Sequence, residues 1–174
     1  MKVVISGLGS VGRRHLQNLL RLGISDIILH RTGRSTLKDE SLDRFPVAHD
    51  LDTMLSHAPD VVVIANPTSA HLAVADRAAS RGCHVFLEKP VSNDASGIAE
   101  ILAEVEARDL ITMVGFQFRF HPAFQRTKEI LEIGQMGPVH SLHAHWGEYL
   151  PDWHPWEDYR DGYAARSDLG GGEI

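Results

Sequence analysis

Apolar residues in the first 115 positions follow two alternating rhythms. Short continuous runs at 2–6, 24–30, 61–65, 83–87 and 111–115 are rich in Val, Ile and Leu, the pattern of strands buried on both faces. Between them, apolar residues recur three and four apart: Leu16, Leu19 and Leu20 within 10–22, and later Ile98, Ile101, Leu102 and Val105. Each set marks one face of an amphipathic helix. Helix is also expected over 67–81, with Pro67 tolerated in its first turn, and over a short stretch bearing Leu51, Met54 and Leu55 that Asp50 can cap. Residues 31–44 read as a polar loop and 47–49 as a brief strand. Strands alternating with helices predict an α/β fold, a doubly wound parallel sheet with helices on both faces.

The rhythm breaks at F-Q-F-R-F-H-P, residues 116–122. A helix over 122–133, a G-Q-M-G-P turn and a strand over 139–147 are expected to follow. Two domains are therefore predicted: 1–120, carrying the parallel sheet, and 121–174, the truncated start of a second α/β domain. A 139–147 strand without sheet neighbours would expose Leu142 and Trp146 along an unpaired edge, so self-association into a homo-oligomer is expected.

Composition narrows the function. The chain has 174 residues, enough for one full core, with 43% hydrophobic residues and a net charge of −6. That charge argues against a nucleic-acid partner, since phosphate binding needs clustered Lys and Arg. No apolar run reaches membrane-spanning length, and M-K-V-V-I-S-G passes from apolar residues into glycine without a signal-peptide pattern. Cys83 is the sole cysteine, which excludes an intrachain disulfide and fits a reducing compartment. A cytoplasmic protein is expected. His143 and His145 would share one face of a strand, but two ligands do not complete a zinc site, and no metal is expected.

The candidate chemistry falls at the carboxyl ends of the predicted strands, where such sheets bind ligands. G-L-G-S-V-G, residues 7–12, is a G-x-G-x-x-G turn between the first strand and the first helix. Gly7 permits the tight turn, Gly9 lets a pyrophosphate approach the backbone, and Gly12 lets helix and strand pack closely. The helix opening at Ser10 and Val11 offers amide N–H groups and a positive dipole end to the phosphates. This context predicts a Rossmann-type dinucleotide-binding sheet. NAD sites usually place an acidic residue at the end of the second strand, but this end reads L-H-R-T-G-R-S, and Asp26 lies at the strand's other end. Arg31, Thr32, Arg34 and Ser35 form either a solvated basic loop or, the favoured reading, a cradle for a 2′-phosphate; NADP is expected over NAD. In A-N-P-T-S-A-H, Asn66 and Thr68 offer polar contacts to the nicotinamide half, Pro67 shapes the turn, and His71 reads as a packing or supporting histidine of that corner. F-L-E-K-P-V-S puts Glu88 and Lys89 at another strand end, before Pro90. A lysine there can donate to a substrate oxygen during hydride transfer. Tyr163 and Arg166, in an aromatic and charged stretch over 148–166, are either substrate contacts or part of a packing loop.

Taken together, G-L-G-S-V-G-R-R-H, V-V-V-I-A-N-P-T-S-A-H, E-K-P, G-F-Q-F-R-F-H-P and L-G-G-G resemble the Gfo/Idh/MocA family of oxidoreductases along essentially the whole chain. The resemblance implies an NAD(P)-dependent dehydrogenase or reductase acting on a sugar-like or polyol substrate, with Lys89 as the active-site lysine. It also implies Glu88 near the nicotinamide ribose and Arg119 close to the substrate cleft. In that family the glycine run leads into a helix bearing an aspartate and a catalytic histidine, which would fall beyond residue 174. The chain is accordingly expected to be an N-terminal part that binds cofactor and is inactive alone. A non-catalytic dinucleotide-binding module is the alternative, which a lysine at position 89 disfavours.

Overall fold

The computed structural model describes residues 1–33, 42–153, 155 and 158–172. Arg34 and Ser35 lie outside the described residues. Six parallel strands form one sheet in the order β3-β2-β1-β4-β5-β6. They are β1 (Val3–Ser6), β2 (Ile27–His30), β3 (Val47–Ala48), β4 (Val61–Ile64), β5 (His84–Leu87) and β6 (Thr112–Val114). Between them run helices α1 (Ser10–Arg21), α2 (Leu51–Ser56), α3 (His71–Ser80) and α4 (Ile98–Ala107). The strand order reverses between β1 and β4, the switch point of a doubly wound sheet.

The period of two along β1 builds two cores. Val4 packs with Met54 and Leu55 of α2 and Val74, Ala75 and Ala78 of α3, whereas Val3 and Ile5 pack with Leu16 of α1 on the opposite face. Every residue of β1 and β2 is buried, which explains why their sequences are continuous apolar runs rather than alternating ones. In register, Ser6 pairs with His30 on one side and Ile64 on the other, so the turns after β1, β2 and β4 open at one level of the carboxyl edge.

Three sequence expectations shift. The helix expected from residue 67 opens as a 3₁₀ turn, Thr68–Ala70, and becomes α-helical only at His71. The second strand is shorter than 24–30, beginning at Ile27. Residues 139–147 form no ladder among the described residues and are exposed throughout, with Leu142 76% and Trp146 74% accessible. Alternating composition makes a strand only when a partner supplies the ladder. Helix α5 (Pro122–Glu132) forms as expected, with His121 Nδ1 accepting from the Ala123 N–H at its start.

The chain divides into two compact units, Met1–Gly115 joined by the segment from Arg160, and Phe116–Tyr159. The unit boundaries thus differ from a single division at residue 120, because the segment from Arg160 packs with the sheet. Within the second unit, the rings of Phe118, Phe124 and Trp146 meet around Phe118 at centroid distances of 5.5 Å.

Candidate functional site

The glycine turn is set by main-chain crowding. Gly7 has φ +94°, and a Cβ there would lie 2.4 Å from the Asn66 nitrogen; a Cβ on Gly12 would lie 1.9 Å from the Gly7 oxygen. Neither contact involves a side chain that could move aside. Gly9, by contrast, faces open space, with nothing within 4 Å of a Cβ. It also starts α1 without any side-chain capping bond, and no acidic residue sits in the first turn. The amino end of α1, at Ser10 and Val11, is therefore a positive dipole end without an internal counter-charge.

Beside it, the end of β2 is tied to the turn twice. The Gly7 N–H donates to the His30 carbonyl at 3.2 Å, and Ser6 Oγ lies 2.8 Å from His30 Nδ1. Burial pushes the His30 pKa down, against the raising influence of Asp50 and with a smaller lowering one from His49. The Arg31 N–H donates to the Ala48 carbonyl at 2.9 Å, and the Arg31 carbonyl lies 3.0 Å from His49 Nδ1. Thr32 is exposed and Arg31 half-buried. The expected cradle is represented here by Arg31 and Thr32 alone.

At the end of β4, Asn66 Oδ1 is buried with no hydrogen-bond partner. A buried carbonyl oxygen left unpaired costs about 1–3 kcal/mol, so its presence at a ligand edge points to a donor that arrives from outside the chain. His71, only 2% exposed, braces this corner: its Nε2 lies 2.8 Å from the Asn66 carbonyl and its Nδ1 2.9 Å from the Pro90 carbonyl. Thr68 is buried and donates its hydroxyl to that of Tyr163, which donates to the Gly170 carbonyl at 3.2 Å. The glycine run is thereby seated on the β4 turn. A Cβ on Gly170, where φ is +82°, would lie 2.9 Å from Thr68 Cβ.

At the end of β5, Glu88 Oε1 lies 2.8 Å from His15 Nε2, and Oε2 accepts from the Lys89 N–H at 3.3 Å. Burial alone would raise the Glu88 pKa and is the largest single influence. The hydrogen bond and charge of His15, joined by the Lys89 N–H and ammonium, outweigh it and hold the carboxyl below its ordinary value. Gly115 leaves room for this carboxylate, since a Cβ there would lie 3.0 Å from Oε1. Lys89 itself is exposed, and its bond to Pro90 is cis. His15, Ser6 and His30 were missed from sequence; the G-R-R-H run, with His15 three residues past Gly12 and so about one turn further along α1, was the available signal for His15.

The remaining candidates are placed differently. Arg119 is exposed in a 3₁₀ turn, Gln117–Phe120, of the second unit. Arg166 makes a forked pair with Asp168, at 3.0 Å through Nε and 2.5 Å through Nη2, which raises the arginine pKa and lowers that of the aspartate. A cavity of about 120 Å³, lined by Arg13, Leu16, Leu20, Leu42, Arg44 and Phe45, includes none of the candidate residues. No three His, Cys, Asp or Glu side chains gather in a metal-binding group among the described residues, and among them no helix is long and apolar enough to cross a membrane.

A six-stranded 3-2-1-4-5-6 parallel sheet with a glycine turn at its switch point defines a dinucleotide-binding Rossmann protein. Residues 1–116 match the model of the oxidoreductase family with an NAD-binding Rossmann fold, the Gfo/Idh/MocA family, and the chain belongs to that family. It is 34% identical over 146 residues to the uncharacterized oxidoreductase YrbE of Bacillus subtilis, covering 79% of this chain and 42% of that protein. It is 30% identical over 148 residues to the myo-inositol 2-dehydrogenase of Thermotoga maritima, covering 82% and 44%. Among solved structures, the scyllo-inositol dehydrogenase of Lactobacillus casei with NAD(H) and scyllo-inositol bound superposes with a TM-score of 0.69 at 28% identity, covering 80% of this chain and 43% of that one. The chain thus spans less than half the length of these relatives.

Proposed function

We propose that this chain binds a nicotinamide dinucleotide across the carboxyl edge of its sheet and forms the cofactor half of an enzyme that moves hydride to or from a sugar-like or polyol substrate. The carrying observation is the uncapped start of α1, behind a turn where Gly7 and Gly12 admit no Cβ and Gly9 stands in open space. Phosphate oxygens suit that place because amide N–H groups and the dipole end are both unspent. The residues fit the cofactor elsewhere too: Asn66 Oδ1 awaits a donor of the kind a carboxamide carries, and Glu88 and Lys89 border the same edge.

The cofactor, when bound, supplies the hydride or accepts it. This chain's own residues bind, orient and manage charge. Lys89, exposed at the end of β5, donates a proton or hydrogen bond to the substrate oxygen, and Glu88, whose carboxyl His15 holds below its ordinary pKa, stands beside it as a carboxylate. Tyr163 and Arg166 are the proposed substrate contacts, and they must share or exchange the partners they hold, Thr68 and Asp168.

NADP is favoured over NAD, because Arg31 follows the end of β2 and the sequence there, L-H-R-T-G-R-S, carries no acidic residue. A cytoplasmic location, self-association and the lack of a nucleic-acid partner belong to the same proposal; the net charge of −6 supports the last. Titration of the chain with NADPH and NADH, followed by nicotinamide fluorescence, tests the core of it. Tighter binding of NADPH is expected. Equal or tighter binding of NADH would remove the NADP preference, and no binding of either would overturn the reading.

A further inference from the structure

We propose that His30 is a specificity-determining residue of the adenosine-ribose end of the site, where it meets the 2′ substituent with an imidazole in place of a carboxylate and favours a 2′-phosphate more strongly as the pH falls. The proposal rests on the dinucleotide reading above.

Position comes first. In dinucleotide-binding sheets the group that contacts the 2′ position stands at the end of β2, about 20 residues past the glycine turn. His30 is the last residue of β2, in register with Ser6 at the end of β1, and its carbonyl receives the N–H of Gly7.

The ring is also fixed and half-engaged. It is only 7% exposed, and Nδ1 is occupied by Ser6 Oγ at 2.8 Å, which settles the ring's orientation. Nε2 has no hydrogen-bond partner among the described residues, yet it is not among the atoms sealed from solvent. A nine-tenths-buried polar side chain therefore keeps one ring nitrogen free at the ligand edge. Among the described residues, few groups face it. From β1 the neighbour is the neutral Ser6; from the turn after β3 come Asp50, which favours the charged ring, and His49, which disfavours it; Arg31 follows in the chain.

The chemistry follows from charge. A carboxylate in this place accepts from a ribose hydroxyl and repels a phosphate, whereas an imidazole accepts or donates without repelling either. Burial keeps the free ring neutral near neutral pH. A 2′-phosphate dianion beside Nε2 stabilises the protonated ring, so its binding takes up a proton and strengthens on acidification. A 2′-hydroxyl carries no charge and gives no such linkage.

The adenosine end can be tested apart from the nicotinamide, with 2′,5′-ADP and 5′-AMP as probes in calorimetric titrations of the intact chain between pH 6.5 and 8.5. That range stays above the second phosphate pKa of about 6. The preference for 2′,5′-ADP should grow by roughly 3- to 10-fold per pH unit of acidification at its steepest, the upper figure being the limit for one linked proton. His30→Gln should flatten that slope, while His49→Gln should preserve it. Arg31→Ala should weaken 2′,5′-ADP by a similar factor at every pH, because guanidinium does not titrate here. If His30→Gln fails to fold, the wild-type imidazole signals decide: by NMR, His30 should titrate at higher pH with 2′,5′-ADP present and stay put with 5′-AMP. A flat preference in the wild type, an unchanged slope in His30→Gln, or an unmoved His30 titration overturns the role of His30 and leaves dinucleotide binding standing. Failure of both probes and of NADPH to bind overturns both.

Discussion

Replacing His15 by alanine should destabilise the sheet unit in a pH-dependent way. The Glu88 side chain is 12% exposed and that of His15 20%, so their 2.8 Å contact is largely shielded from solvent. Without the imidazole, the carboxylate keeps only the Lys89 N–H at 3.3 Å, a long and poorly committed bond. Hydrogen bonds to charged groups contribute about 1.5–3 kcal/mol, and breaking a fully buried pair costs about 3–5 kcal/mol. Residual exposure lets water reach the vacated space, which puts the electrostatic loss near the lower bound, about 2 kcal/mol. The His15 ring also packs edge-on to Phe86 at a centroid distance of 5.0 Å, a contact contributing about 0.5–1.5 kcal/mol. The sum, about 2.5–3.5 kcal/mol, corresponds to a fall in melting temperature of roughly 5–14 °C for a chain of this size. His15→Phe, which retains ring packing, should recover only the smaller part.

The pH dependence has a definite sign. The folded-state pKa of Glu88 lies below its ordinary value, so the pair's stabilisation is present above the unfolded carboxylate pKa and is lost as pH falls through the folded one. The gap between wild type and His15→Ala should be full at pH 7 and close progressively below about pH 4.3, the ordinary glutamate range. Thermal unfolding followed by far-UV circular dichroism from pH 7.5 downward measures both quantities. A gap under 1 °C at neutral pH, or one that stays constant into acid, would refute the reasoning.

Three further outcomes are expected. Gly9→Ala, with open space around its Cβ, should leave the melting temperature within about 1 °C yet weaken dinucleotide binding, while Gly12→Ala, with its Cβ 1.9 Å from the Gly7 oxygen, should disrupt both; calorimetry and circular dichroism separate the two cases. In a polypeptide that carries a complete substrate domain, Lys89→Met should cut turnover by roughly 10²- to 10⁴-fold with unchanged NADPH affinity, as expected for a positioned proton donor; full turnover would exclude that role. Gly170→Ala should release the segment that begins at Tyr163, read as faster amide exchange at Gly172, whose N–H now donates to the Ala164 carbonyl at 2.8 Å.

Much of the fold was legible because parallel strands buried on both faces must be continuously apolar, and residues 3–5 or 61–64 have few other uses. The glycine turn was equally plain, since Gly7 and Gly12 answer local steric demands of the main chain while Gly9 stands in open space. Long-range pairs left no such trace. Ser6 and His30 are 24 residues apart, and His15 and Glu88 are 73 apart; each meets only through the sheet register and the seating of α1. Residues 139–147 show the opposite failure. Their alternation satisfied a local rule for strands, but ladder formation depends on a neighbour that local pattern does not supply.

The grip of His71 on two main-chain carbonyls bears on how this corner can diversify. Because the imidazole nitrogens lie against the backbone oxygens of residues 66 and 90, at 2.8 and 2.9 Å, the contact is indifferent to the side chains those positions carry. Exchanges at Asn66, Pro67, Val91 or Ser92 can then vary the chemistry offered to a ligand while the two turns stay tethered. A mutagenesis library confined to those four positions would sample new substrate preferences at little risk to folding, whereas any library that includes position 71 would spend most of its members on proteins whose turns have come apart.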